Sequence, residues 1–276
     1  MNYVCKNEMK VILSRKGFDS ANGEIVSPIL EDGTMISFPI PSNDSSSFND
    51  LQYKGISYHK ILSDLHYKGG EYCHIDPDLD QERMVRKVEG WEPAFGQIDS
   101  SATYLKNIGI KEGDLFLFFG NFHHVSYDNG SFKYIKKSGD FYQDNDLQVI
   151  WGYLQVGKVI DNPVEQKKLW WHPHSIDCRV ENKTNLIFTA SKNLSFDSSR
   201  PGAGILAYDK KRVLTLENGN KATWKKNEIY DIDHVLSKRK NSAKDISKGI
   251  YYAGIWQELG LVESESCFAW AKSIIL

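Results

Sequence analysis

The stretch at residues 149–160, VIWGYLQVGKVI, has the composition of a β-strand that lies inside a sheet. Apolar and aromatic side chains follow one another in it without the strict alternation that marks a strand with one face in water. A second run of this kind, DLFLFFG, occupies residues 114–120 and ends at Gly120. We therefore expect these two runs to be central strands of one sheet.

The segments around these runs predict further strands, a hairpin and short helices. Residues 127–134, YDNGSFKY, contain the Asn129-Gly130 pair, which is typical of a tight hairpin turn. Strands are also predicted at residues 10–14 and 185–190, helices at residues 58–65, 77–88 and 100–108, and a lysine-rich loop near residues 237–248.

The order of these elements bears on the domain organisation. No repeat, low-complexity linker or sharp change of composition divides the chain. The mixture of strands and helices favours the α+β class. We expect residues 9–276 to form one domain, with a strongly bent mixed sheet or a β-barrel at its centre and helices at its periphery, and residues 1–8 to be an N-terminal appendage.

The composition is that of an ordinary soluble domain. The chain has 276 residues, of which 41% are hydrophobic and 25% charged, and its net charge is −2. This charge excludes a basic surface over the whole protein, so nucleic acid would have to be bound by a local basic face or a base pocket. No apolar run approaches the roughly 20 residues that span a bilayer, and a signal-peptide pattern is missing, so we expect a cytoplasmic protein without a membrane partner.

The four cysteines are Cys5, Cys73, Cys178 and Cys267, and they lie far apart in the sequence. This spacing argues against a zinc ribbon and against a disulfide framework. We expect free thiols, most of them buried.

Residues 70–80, GEYCHIDPDLD, bring a thiol, an imidazole and several carboxylates together. Asp76 followed by Pro77 is typical of a helix N-cap and first helical residue, and Asp78 would then lie near the positive end of the helix dipole. A thiol just before a helix N-terminus has a lowered pKa, which makes Cys73 a candidate nucleophile with His172 or His174 as its base. The alternative is that Cys73 is an inert core residue.

Residues 170–175, WWHPHS, form the second unusual segment, with His172 and His174 two positions apart. In an extended segment both imidazoles point to the same side and can enter one cleft. A divalent metal at His172 and His174 is therefore possible, provided that His74, Asp76 or Cys178 supplies further ligands. The alternative is a turn shaped by Pro173 whose histidines bind the backbone.

Several motifs, taken in their order, resemble the third type of nucleotide-modification-associated domain. The resemblance extends over nearly the whole chain, and it implies a role around modified bases of phage or bacterial DNA without specifying a reaction. It also implies other DNA-modification proteins as possible partners. The motifs are residues 14–17 (SRKG), 19–20 (DS), 27–29 (SPI), 73–79 (CHIDPDL), 95–97 (FGQ), 113–120 (GDLFLFFG), 152–157 (GYLQVG) and 172–174 (HPH).

The two central runs also resemble the Gly-Asp strand and the glycine-rich return strand of PUA-like barrels, including the EVE and ASCH domains. This likeness implies a pocket for a base, in which an aromatic residue such as Trp151, Trp170 or Trp171 stacks on the base and Gln97 or Gln155 reads its edge. The alternative is that these side chains pack in the core. Arg200, in the loop SSRPGAG at residues 198–204, is a weaker candidate for binding a phosphate.

Three hypotheses follow. The first is an enzyme that acts on a base in DNA or on a nucleotide, the second a reader that binds a modified base without catalysis, and the third a metal-dependent nucleotide hydrolase that uses His74, Asp76, His172 and His174 as ligands. For an enzyme we expect the two unusual segments to meet in one cleft. The candidate catalytic residues are Cys73, His74, Asp76, Asp78, His172 and His174, and the candidate substrate-binding residues are Arg15, Lys16, Gln97, Gln155, Trp171 and Arg200.

Overall fold

In the computed structural model, the two apolar runs lie side by side as the long strands Leu115–Asp128 and Leu147–Ile160. The structure describes residues 9–19, 23–231, 233–236, 243–246, 249–252 and 257–276. The expected appendage at residues 1–8 lies outside this part of the chain, so its boundary stays a prediction.

The described strands and helices are short apart from these two. The strands are β1 (Val11–Arg15), β2 (Ser27–Ile29), β3 (Ile40–Pro41), β4 (Gln52–Tyr53), β5 (Ile56–Ser57), β6 (Cys73–His74), β7 (Ala94–Gln97), β8 (Leu115–Asp128), β9 (Ser131–Tyr134), β10 (Leu147–Ile160), β11 (Leu186–Ala190), β12 (Asn193–Leu194), β13 (Asp197–Pro201), β14 (Ala203–Ile205), β15 (Thr223–Lys225), β16 (Ala243–Ile246), β17 (Gly249–Tyr252) and β18 (Glu258–Leu261). The helices are α1 (Tyr58–Asp64), α2 (Asp99–Asn107), α3 (Phe141–Asp144), α4 (Pro163–Lys168), α5 (Asp177–Val180) and α6 (Glu265–Ile275), and 3₁₀ turns lie at Gln81–Arg83, Pro173–Ser175, Lys210–Arg212 and Glu228–Tyr230.

The main sheet is mixed and has the order β18-β1-β8-β10-β11-β7. β1 and β2 pair with β8 in parallel, whereas β10 pairs with β8 and with β11 antiparallel. Register shifts at Ile150/Gly152 and at Val156/Lys158 interrupt the pairing of β10, and such bulges bend a strand and increase its twist. The described strands form an open path from β18 to β7, so the α+β prediction with a mixed sheet is confirmed, whereas a closed PUA-like barrel is not.

An aromatic core fills the space against the central strands. Phe95, Phe116, Phe118 and Phe188 come from β7, β8 and β11, and the centres of neighbouring rings among them lie 4.9–5.9 Å apart. Trp151 of β10 packs against Phe118 at 6.0 Å. Burial of such large side chains contributes most of the stabilisation of a core, which explains why apolar runs in the sequence predict these strands.

Several elements agree with the sequence predictions. The strands near residues 10–14 and 185–190 and the helices near residues 58–65 and 100–108 are confirmed as β1, β11, α1 and α2. The hairpin between β8 and β9 turns at Asn129 (φ 50°) and Gly130 (φ 79°), the left-handed pair that a tight hairpin turn requires.

The predicted helix at residues 77–88 is wrong. The peptide between Asp76 and Pro77 is cis, and the segment contains only the 3₁₀ turn Gln81–Arg83, whose cap is Asp80. Asp78 forms a bridge with Ala94 beside the sheet, through hydrogen bonds of 2.9 Å in both directions. Contacts with distant strands have therefore overridden the local capping signal of Asp76-Pro77.

The C-terminal part differs from the prediction in one respect. Residues 237–242 and 247–248 of the expected lysine-rich loop lie outside the described residues, but Ala243–Ile246 is strand β16, paired with β17. No helix within the described ranges is long and apolar enough to cross a membrane.

Candidate active site

A polar cleft of about 420 Å³ opens where β1 and β7 end and where the segments after β6 and α4 approach them. Two isoleucines are its only large apolar side chains among the described residues. Its walls come from six separate segments of the chain, so the cleft exists only in the folded protein. The lining residues are Arg15, Lys16, Gly17, Asp19, Ile40, Ser42, His74, Asp76, Gln97, Ile98, Asp99, Ser100, Ser101, His174, Arg179 and Gln257.

The two unusual segments of the sequence meet in this cleft. Pairing of β3 with β6 places Ile40 opposite His74, and a hydrogen bond of 2.6 Å from the Gly96 amide to Asp76 Oδ1 ties the next residues to β7. His174 lies on the 3₁₀ turn Pro173–Ser175. One ligand atom each of His74, Asp76 and His174 lies within 4.8 Å of the others, which confirms the expected meeting.

The proton position on His74 is set by Asp44. His74 Nδ1 lies 2.6 Å from Asp44 Oδ2, and Arg179 binds both oxygens of the same carboxylate at 2.9 and 3.2 Å. Although burial opposes ionisation, the hydrogen bonds from His74 and Arg179 lower the pKa of Asp44 to about 2. An ionised carboxylate only accepts hydrogen bonds, so Nδ1 of His74 carries a proton and, in the neutral ring, Nε2 carries the lone pair.

Asn185 determines which ring nitrogen of His174 carries the proton, as Asp44 does for His74. Its Nδ2 donates to Gln166 Oε1 (2.9 Å) and to the His174 carbonyl (3.0 Å), which leaves its Oδ1 as the acceptor for His174 Nδ1–H at 2.8 Å. Burial lowers the pKa of His174 to about 3, although the nearby Asp76 acts in the opposite direction. His174 is therefore neutral near pH 7, with its lone pair on Nε2.

Asp76 is the negative centre of the cleft. Burial raises its pKa, but Lys16 and His172 outweigh burial and hold the pKa well below its usual range. Lys16 Nζ lies 3.3 Å from Asp76 Oδ2, and His172 Nε2 lies 3.4 Å from Oδ1, long for a hydrogen bond. His172 Nδ1 accepts the His174 backbone N–H at 3.2 Å, so the proton of the neutral His172 ring is on Nε2 and faces Asp76.

Three predicted substrate-binding residues line the same cleft. Lys16 Nζ lies 4.3 Å from the centre of the Phe95 ring, and Arg15 pairs with Asp19 at 3.3 Å. Gln97 donates to the buried Glu258. These contacts hold two cations and an amide in the wall of the cleft that also contains Asp76.

A family model describes the chain from residue 10 to residue 258, a range that contains every residue lining the cleft. The model is that of nucleotide modification associated domain 3. The chain belongs to this family. Among curated proteins and among solved structures, no significant similarity to the chain is found. Membership of the nucleotide modification associated domain 3 family indicates a role in nucleotide or DNA modification and is compatible with binding of nucleotide or DNA.

In this family member, Cys73 does not line the cleft. Its side chain is fully buried in a core with Phe18, Phe38 and Phe48, and burial raises the pKa of its thiol to about 12. The expected helix N-terminus, which would have lowered this pKa, is missing. Cys73 is therefore placed as a core residue, which opposes the predicted role as nucleophile.

Five other candidates also lie outside the cleft lining, namely His172, whose Nε2 faces Asp76, and four residues with partners elsewhere. Asp78 binds Arg83 (3.2 Å) and Trp91 (2.7 Å), and Gln155 binds the Gly113 carbonyl (2.9 Å) within the sheet. Trp171 packs beside a small apolar cluster, and Arg200 of β13 pairs with Asp197 at 3.4 Å. Within the described part of the chain these partners are residues other than His74, Asp76 and His174, so the structure provides no support for the predicted roles of these four.

The supporting residues Asp44, Arg179 and Asn185 were missed at the level of sequence. Asp44 lies in a serine-rich stretch, 30 positions before His74, and Asn185 lies 11 positions after His174. Neither stands in a motif, and no local pattern links them to the histidines. Only the fold makes them partners.

Cys178 is exposed and Cys73 is buried, so the two thiols are expected to react with alkylating reagents at different rates. We expect iodoacetamide to label the exposed Cys178 in the folded protein at pH 8 and to label the buried Cys73 only after unfolding. A rise of the Cys73 pKa from 9.0 to about 12 lowers its thiolate fraction by about 10³. Mass spectrometry of peptides from the native and the denatured protein measures how much of each cysteine is labelled, with Cys178→Ser as the control. Labelling of native Cys73 as fast as of Cys178 would contradict its placement in the core.

Proposed function

We propose that this protein is an enzyme that acts on a base in DNA or on a nucleotide, with His74, Asp76 and His174 at its reaction centre. The observation that carries the proposal is that three ionisable side chains from two distant segments converge in a cleft, where hydrogen bonds with Asp44, Asn185 and the Gly96 amide hold them in place. Placing several titratable groups together in a cleft with shifted pKa values is typical of catalytic sites.

The centre offers two acceptors to a substrate proton. His174 is neutral with its lone pair on Nε2, and Asp76 is ionised near pH 7. Their lowered pKa values keep both groups in the acceptor form, although they make them weak bases in the empty cleft. A hydrogen bond accepted from water or from a ring N–H of the substrate orients that group for reaction, and positioned acid–base groups accelerate reactions by roughly 10²–10⁴-fold.

The walls of the cleft are suited to a nucleotide. Three cationic side chains line the cleft, those of Arg15, Lys16 and Arg179. Ser100 and Ser101, in the first turn of α2, line it as well. Cationic side chains and helix N-termini bind phosphate groups. A volume of about 420 Å³ is within the usual range for small-molecule sites.

The reader hypothesis has less support. Stacking of a base requires flat aromatic surfaces, but the described cleft residues include no Phe, Tyr or Trp. Trp151, which the PUA-like resemblance would place beside a base, packs in the aromatic core.

Nucleoside analysis tests the enzyme proposal. We expect cells that carry the gene in its native neighbourhood to contain a changed nucleoside in their DNA or nucleotide pool, and His174→Ala to abolish the change. His59→Ala, on the exposed face of α1, is the matched control and should behave as wild type. An altered nucleoside that persists in His174→Ala, with similar protein levels, contradicts the proposed centre. A profile that never depends on the gene, together with binding of modified DNA by the purified protein, would favour the reader.

A further inference from the structure

We propose that the cleft binds one divalent transition-metal ion through His74, Asp76 and His174. Their ligand atoms already lie within 4.8 Å of one another. A metal about 2.1 Å from each ligand requires only small side-chain movements to bring them around one ion. The proposal concerns the same cleft as the proposed function, but metal binding is measured without a substrate.

The surroundings of the two imidazoles are those of metal ligands. A metal-binding histidine usually donates its second ring N–H to a carboxylate or a carbonyl oxygen, which orients the ring and increases its basicity. His74 donates to Asp44, and His174 donates to Asn185. Within the described part of the chain, the Nε2 atom of neither ring has a hydrogen bond, and His74 Nε2 lies 4.0 Å from Asp76 Oδ2.

These outer partners are themselves held in place. Arg179 fixes Asp44 through both carboxylate oxygens, and Gln166 accepts from the Asn185 amide at 2.9 Å. His174 and Asn185 are nearly fully buried, so their orientation is set before any ligand arrives. Such preorganisation lowers the cost of collecting three ligands around one ion.

The donor set indicates the class of metal. Imidazole nitrogens suit zinc, iron, nickel and copper, whereas magnesium and calcium prefer sites made of oxygen atoms. Two histidines and one carboxylate on one side of an ion leave coordination positions open toward the cleft, as in catalytic rather than structural sites.

The proposed ligand set contains His74 in place of His172, which the sequence analysis paired with His174. His172 Nδ1 accepts the His174 backbone N–H, and its Nε2 faces Asp76 at 3.4 Å. His172 therefore orients Asp76, and the ligand that accompanies His174 is His74. Cys178 is exposed and lies outside the group of ligands.

Lys16 weakens metal binding, whereas the supporting residues Asp44 and Asn185 favour it. Its ammonium lies 3.3 Å from Asp76 Oδ2, close to where a dication would bind. It neutralises Asp76 in the metal-free protein and repels an incoming cation. Replacing Lys16 with methionine, which keeps most of the side-chain length, should therefore tighten metal binding.

The experiment uses the full chain, treated with a chelator and then titrated with Co²⁺, whose visible absorption reports nitrogen and oxygen coordination, and with Zn²⁺ in calorimetry. We expect one equivalent per chain in the wild type and in His59→Ala, and no Co²⁺ band in His74→Ala or His174→Ala. The positioning variants Asp44→Asn and Asn185→Ala should weaken binding by roughly 10–100-fold, and Lys16→Met should strengthen it. Circular dichroism checks that each variant is folded.

Absence of stoichiometric Co²⁺ and Zn²⁺ binding by the folded wild type would overturn the proposal. So would binding that the folded His74→Ala and His174→Ala variants retain. Failure of the metal site and failure of the enzyme proposal are distinguishable. A folded wild type that changes nucleosides but binds neither Co²⁺ nor Zn²⁺ overturns the metal site alone, whereas a protein that binds the metal and changes no nucleoside overturns the enzyme alone.

Discussion

Replacing Asp76 with asparagine is expected to reduce formation of the modified nucleoside by roughly 10²–10⁴-fold, the range for loss of a positioned acid–base group. Asparagine keeps the size of the side chain, and its oxygen can still accept the Gly96 amide. The negative charge that faces Lys16, His74 and His172 is lost. The measurement is nucleoside mass spectrometry at equal amounts of folded protein.

The alanine variant separates folding from chemistry. Asp76→Ala also removes the acceptor for Gly96 and leaves the buried end of Lys16 without its counter-charge. Breaking a buried charged network from one side costs about 3–5 kcal/mol, so Asp76→Ala should lower the free energy of unfolding, as measured in urea. This is more than the roughly 1 kcal/mol that an N-cap contributes.

Asp78→Asn is the matched control for Asp76→Asn. Asp78 is equally buried, but its partners are Arg83 and Trp91, outside the cleft lining. We expect this variant to lose stability and to keep its activity per folded molecule. If Asp78→Asn lost as much activity per folded molecule as Asp76→Asn, the placement of the reaction centre in the cleft would be wrong.

Replacing Gly96 with alanine is expected to displace His174 and to abolish both activity and Co²⁺ binding. A Cβ atom at this position would lie 2.2 Å from Cδ2 and 2.3 Å from Cγ of the His174 ring. The ring cannot move aside easily, because it is buried and bound to Asn185. Overpacking of this kind typically costs about 1–3 kcal/mol, which urea unfolding measures.

Gly70→Ala provides the same substitution in open space. A Cβ atom at Gly70 meets no atom within 4 Å, and its φ is not in the left-handed region. We expect its free energy of unfolding to stay within about 0.5 kcal/mol of wild type, with unchanged activity and metal binding. A Gly96→Ala protein that keeps wild-type activity and Co²⁺ absorption would show that the position of the His174 ring is unimportant.

Prediction from the sequence succeeded where the residues of one continuous stretch are enough to determine its local structure. The two apolar runs became β8 and β10 because a continuous set of large apolar side chains is stable only when both faces are covered. The turn at Asn129-Gly130 formed because these residue types tolerate the left-handed backbone. Prediction from the sequence failed at residues 77–88, where Asp78 forms a β-bridge with Ala94 and no α-helix begins.

The central strands, the α+β class and the location of His74, Asp76 and His174 in two unusual segments follow from the amino-acid sequence. What these side chains are able to do depends on the tertiary structure. Asp44 and Asn185 orient the two imidazoles from positions that no local pattern connects to them. The same folding buries Cys73 away from the cleft. Protonation and reactivity depend on the burial of a side chain and on the charges around it, and both arise only when distant segments come together.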